Sequence, residues 1–142
     1  MKQARIWVAT FDEGGARIFS FNGVPRRLEE MEGERRSGPH RVQFADRPGR
    51  VHASIGERRS GMAPRTDPER RLETAFVEAL AADLASKAEA GAFDQLIVAA
   101  SPRALGAFRA AAAKSLAARV VRELNKSYLN IDTARLFEAL DR

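Results

Sequence analysis

Residues 93–100, FDQLIVAA, constrain the fold of this 142-residue chain more than any other stretch. They end in five consecutive apolar positions, Leu96 to Ala100, with no polar residue alternating among them. A strand with one wet face alternates. An unbroken apolar strand needs cover on both faces, which is how the middle of a parallel sheet reads. The run is also far shorter than the roughly 20 residues of a membrane-spanning helix. A polypeptide containing it is expected to build an α/β fold, with helices on both sides of a sheet.

The flanking segments supply those helices. Asp67 suits an N-cap, Pro68 the first helical position, and Glu69 complements the helix dipole. Leu72, Phe76, Leu80 and Leu84, with Ala75, Ala79 and Ala88, then predict one inward stripe ending near Gly91. Ser101-Pro102 opens another helix, with Leu105, Phe108, Ala112 and Leu116 facing inward. Residues 118–124 read as a further strand; Asp132 caps a last helix, and Ile131 is placed to pack on Leu136. At the other end, residues 4–11 (ARIWVATF) and 16–22 (ARIFSFN) flank the turn Asp12-Glu13-Gly14-Gly15, a hairpin signature. Residues 26–32, where only Leu28 and Met31 are apolar, suit an edge strand. The order β-β-β, long loop, α-β-α-β-α and a right-handed crossover predict a five-stranded mixed sheet, spatial order third-second-first-fourth-fifth. That is a ribonuclease-H-like α/β arrangement flanked by helices, expected as one domain over residues 1–142.

Charge is not spread evenly. Residues 34–71 hold ten arginines, no lysine, both histidines and five acids, so 10 − 5 = +5, the whole net charge of the chain. The other 104 residues carry 14 basic and 14 acidic side chains. Arginine binds phosphate as a planar bidentate fork, so this excess marks a candidate polyanion surface. The alternative is a hydrated loop with no ligand. The candidate residues are Arg47, Arg50, His52, Arg58, Arg59 and Arg65, with Arg70 and Arg71 on the first turn of the following helix. From Gly33 to Thr66 glycine and proline break any pattern, apart from a conceivable short strand over 50–55; such a length of loop usually signals function or disorder. Its single aromatic residue, Phe44, gives little for bases to stack on. Structured RNA read by shape and charge fits better.

Catalytic signatures are sparse. With no cysteine, disulfides, thiolate metal sites and a cysteine nucleophile are excluded. The first ten residues already alternate like a strand and lack a secretory h-region, and no segment is long enough to span a membrane, so a cytoplasmic protein is expected. In the expected sheet, Thr10, Asp12 and Ser101 converge beyond the carboxyl ends of the first and fourth strands, where α/β sheets bind ligands. A two-metal nuclease needs several carboxylates there. Asp12 is the one candidate, and it looks like a turn residue; Asp94 sits at the wrong end of its strand. Ser101-Pro102 leaves free helix amides that form either a weak anion site or a plain cap. His40 and His52 lack partners at metal-ligand spacing, and no acid orients Ser54 or Ser60 beside His52. No catalytic residue, metal or cofactor is assigned.

Several segments carry a resemblance: WVATFDEGGARIFSFNG, RVHASIGERRSGMAPRTDPERR, LIVAASPRALGAFR and VVRELNKSYLNID. Over almost the whole chain they resemble the bacterial host-attachment proteins, described as required for attachment to host cells. Members usually carry a Lys-Asp-Leu turn after the last strand, where this chain reads Lys126-Ser127-Tyr128-Leu129. That family in turn resembles the middle domain of archaeal and eukaryotic peptide-chain release factors and Pelota. The resemblance implies the ribonuclease-H-like fold and a loop that, in release factors, brings Gly-Gly-Gln to peptidyl-tRNA. Here Gly56 and Gly61 stand apart and the nearest glutamine is Gln43, so the hydrolytic residue does not carry over. The expectation is a non-catalytic domain associated with RNA or the ribosome, linked indirectly to attachment. A hydrolase or nuclease at the sheet edge and a protein-interaction module are the alternatives, and oligomeric state is open.

Overall fold

The computed structural model describes residues 3–39 and 67–141. Strands β1 (Ile6–Asp12), β2 (Gly15–Asn22), β3 (Arg27–Glu30), β4 (Arg36–Ser37), β5 (Gln95–Ala100) and β6 (Val120–Leu124) form one sheet. The helices are α1 (Asp67–Glu89), α2 (Pro102–Ala111), α3 (Lys114–Ala117) and α4 (Thr133–Leu140). Along the sheet the order is β3-β2-β1-β5-β6, and β4 pairs with β2 off this path. β1 and β2 are antiparallel, from Trp7 opposite Ser20 to Asp12 opposite Gly15. β1 and β5 are parallel, from Ile6 beside Gln95 to Phe11 beside Ala100.

The two central strands are covered on both faces, as the apolar run requires. On one face Trp7, Ala9, Phe11, Leu96 and Val98 meet Val77, Leu80 and Leu84 of α1 and Leu105 and Phe108 of α2. On the other, Ile6, Val8, Phe19, Phe21 and Ile97 meet Leu136 and Leu140 of α4. Alternate residues of β1 therefore enter different cores, the pleat sorting them by parity. Asp132 caps α4 as expected, its Oδ1 accepting from Arg135 N at 3.0 Å.

Four expectations are corrected. The sheet has six strands, because Arg36–Ser37 falls in the stretch read as patternless. Its pairing rests on backbone bonds and ion pairs, which leave no apolar alternation to read. The inward stripe of α1 is Glu73, Val77, Leu80, Ala81, Leu84 and Ala88, while Leu72 is 51% exposed and Ala75 and Ala79 face outward. At 100° per residue, positions 72, 76, 80 and 84 wander by about 120° around the helix, whereas 77, 80, 84 and 88 stay within about 80°. Steps of four drift; a step of three pulls the row back. Third, the helix expected to continue through Leu116 breaks at Ala112 and Ala113, both extended, with ψ of 129° and 155°. Alanine favours helix here, so the break is imposed by packing: it turns Leu116 fully into the core and returns the chain to β5, where Leu96 N donates to Arg119 O at 2.8 Å. Finally, Asp67, expected as the cap, is the first residue of α1 itself. The conceivable strand over 50–55 lies outside them too.

Candidate functional site

Thr10, Asp12 and Ser101 do reach one edge, at the carboxyl ends of β1 and β5, yet the chain uses each of them structurally. Asp12 Oδ1 accepts from Gly14 N at 2.6 Å, an Asx turn that closes the β1–β2 hairpin. The buried Thr10 Oγ1 accepts from Tyr128 N at 2.7 Å and holds the loop after β6 against the first strand. Ser101 occupies the N-cap position of α2, and its amide donates to Phe11 O at 3.3 Å. Its hydroxyl is buried without a hydrogen-bond partner and makes no cap bond. Asp94 pairs with Arg5 at the opposite edge, where the Arg5 backbone amide, then its guanidinium, holds the carboxyl below its usual range. Among the described residues no three histidine, aspartate or glutamate side chains stand together in a group that could hold a metal ion.

Of the arginine-run candidates, Arg47, Arg50, His52, Arg58, Arg59 and Arg65 lie outside the described residues. Arg70 and Arg71 are exposed near the start of α1. Arg35 and Arg36, at the front of the run, have structural work. Arg35 forms a bidentate pair with Glu30, both bonds 2.8 Å, and Arg17 meets the same carboxylate at 2.9 Å. The bonds from Arg35 and then Arg17 lower the Glu30 pKa from 4.5 to about 2. Arg36 bonds Glu34 at 3.0 Å and also Asp83 of α1, and Lys87 meets Asp83 at 3.0 Å and Glu34 at 3.2 Å. Burial pushes the Asp83 carboxyl up most strongly, but the bonds from Lys87 and Arg36 outweigh it and hold the pKa below normal. Beyond this clasp, Gly38 N donates to Gly14 O at 3.0 Å, so the basic segment departs from beside the hairpin turn.

A cleft of about 260 Å³ opens at the same edge between α1 and α2. Glu13, Arg70, Glu73, Thr74, Val77, Arg103, Ala104 and Ala107 line it. Glu73 is only 3% exposed, whereas Arg70 and Arg103 are exposed and neither is ion-paired within the described residues. Arg103 escapes a reading by charge runs, because it stands alone in sequence; only the packing of α2 against α1 brings it to Arg70. A second cleft, of about 430 Å³, is lined by Arg17, Arg35, Arg36, Ser37 and residues 129–132. All three of its guanidinium groups already face carboxylates, and Arg17 also donates to the carbonyls of Leu129 and Ile131. Its arginines are ion-paired, whereas Arg70 and Arg103 of the first cleft are not, among the described residues.

Fold and edge together define a helix-covered α/β protein with a mixed sheet, in which Arg70 and Arg103, without ion pairs among the described residues, line one cleft at the sheet edge. Residues 7–140 match the family described as "Protein required for attachment to host cells", and the chain belongs to that family. The family description ties it to host attachment. None of the curated proteins matches the chain significantly. Among the described residues no helix is long and apolar enough to cross a membrane.

Proposed function

We propose that this chain is a non-catalytic domain that associates with RNA or the ribosome, binding phosphates through its arginine-rich segment. Its effect on attachment is then indirect, exerted from the cytoplasm. The observation that carries the reading is what remains of the charge excess once the clasp is accounted for. With Arg35 and Arg36 engaged by carboxylates, residues 41–71 still hold eight arginines against four acids. Phosphate contacts of this kind supply affinity and position without reading sequence. The binding residues in this reading are Arg47, Arg50, His52, Arg58, Arg59, Arg65, Arg70 and Arg71, with the Ser101 helix start as a weaker anion contact. The whole chain serves as one domain, and the strand order supports a ribonuclease-H-like, release-factor-like reading of its body.

The test is salt-dependent binding to purified ribosomes and to transfer RNA by the wild type and an Arg58→Ala/Arg59→Ala/Arg65→Ala variant. Removing three phosphate contacts is expected to lower the slope of log K against log salt by about 3 and to weaken binding at low salt. Equal binding and equal slope for the two proteins would sink the proposal.

A further inference from the structure

We propose that the α1–α2 cleft is a ribose-phosphate subsite, which makes the protein prefer RNA to DNA. The inference rests on the RNA-binding reading and extends it to residues outside the arginine run. Four observations carry it. Two guanidinium groups from different helices, Arg70 and Arg103, line one cleft and neither has an ion-pair partner among the described residues. Two guanidinium forks lining one cleft are suited to one phosphate, whose oxygens accept from both. The same cleft presents an acceptor, the half-buried Glu13 carboxylate, likewise without an ion pair there, while the buried Glu73 is part of its wall.

A site for a bare anion gains nothing from carboxylates. With the Glu13 carboxylate beside two arginines, a ligand that satisfies all three offers a hydrogen-bond donor beside its negative charge. The sugar of RNA does this: its 2′-hydroxyl donates to a carboxylate, a contact that deoxyribose cannot make. Finally, the volume of about 260 Å³ lies just below the roughly 300–1,000 Å³ of ordinary small-molecule pockets. That admits one sugar-phosphate unit and leaves the base outside, consistent with binding that reads backbone and not sequence. Phosphate lies between Arg70 and Arg103, the Thr74 hydroxyl is a further donor to it, and Glu13 accepts from the 2′-hydroxyl.

The experiment measures binding of a structured RNA hairpin and a DNA hairpin of the same sequence to wild type, Arg103→Gln and Glu13→Gln over a salt series. Circular dichroism melts confirm that each variant is folded; both positions are on the surface side of the core. Arg103→Gln is expected to weaken RNA binding several-fold and lower the salt slope by about 1. Glu13→Gln is expected to leave DNA affinity unchanged or slightly raised, and to cut the RNA-to-DNA affinity ratio at least threefold. If wild type binds RNA while both variants keep its affinity, slope and ratio, the cleft proposal is overturned and the function reading stands. If wild type binds neither nucleic acid, both fall together.

Discussion

Glu30 holds two arginines, and the arrangement has a sign that can be measured. Its carboxylate and the Arg17 side chain are only 12% and 13% exposed, so the pair sits largely out of water. Because the folded-state pKa is depressed, the stabilisation is complete above the unfolded value near 4.5 and is lost as pH falls toward 2. The partner that lowers the pKa most, Arg35, is 56% exposed, so solvent screening leaves a net contribution of about 1–2 kcal/mol. Glu30→Gln is expected to cost about 1–2 kcal/mol at pH 7, seen as a melting temperature lower by roughly 3–6 °C. The same variant should flatten the acid side of the stability profile between pH 4.5 and 2. A wild-type profile already flat in that window would show that Glu30 is not held as its contacts imply.

At the scale of elements, two glycines make opposite demands. Gly38 follows β4, where an added Cβ would meet Glu13 O at 2.4 Å and Gly14 C at 2.9 Å, both backbone atoms that cannot step aside. Gly38→Ala must push the start of the basic segment off the hairpin turn, at an expected cost of about 1–3 kcal/mol. Gly106 lies within α2, and nothing stands within 4 Å of the Cβ it would gain. Gly106→Ala is expected to stabilise by about 0.5–1 kcal/mol through helix propensity. Denaturant unfolding of the two variants against wild type checks both signs at once. α1 teaches the companion lesson. Of the expected row Leu80, Leu84 and Ala88 are in the core, but Leu72, Ala75 and Ala79 wind outward, and Val77 and Ala81 complete the buried face.

Across the whole molecule, a ligand that binds only the folded state raises its stability. A structured RNA at 100 times its dissociation constant is expected to add about 2.7 kcal/mol in low salt, seen as a rise in melting temperature of several degrees. The rise should vanish near 0.5 M salt, where phosphate contacts are screened. A shift that persists at that salt would speak for a different binding mode. The body of the fold was legible from its chain because its signals are local: the unbroken apolar run of β5, the Gly-rich hairpin turn and the Asp132 cap each reflect chemistry among near neighbours. The six-strand count, the break at Ala112 and the outward-facing Leu72 were not, since each answers to a surface that arrives from elsewhere in the chain.

The candidate site divides the same way. The concentration of arginine in residues 34–71 is a property of composition and owes nothing to folding. Which of those arginines stay available is a property of space: Arg35 and Arg36 are consumed by Glu30, Glu34 and Asp83, and Arg70 gains a companion in Arg103 from another helix. A side chain's charge is written in its residue type, but its free energy depends on which opposite charges the packed chain sets beside it.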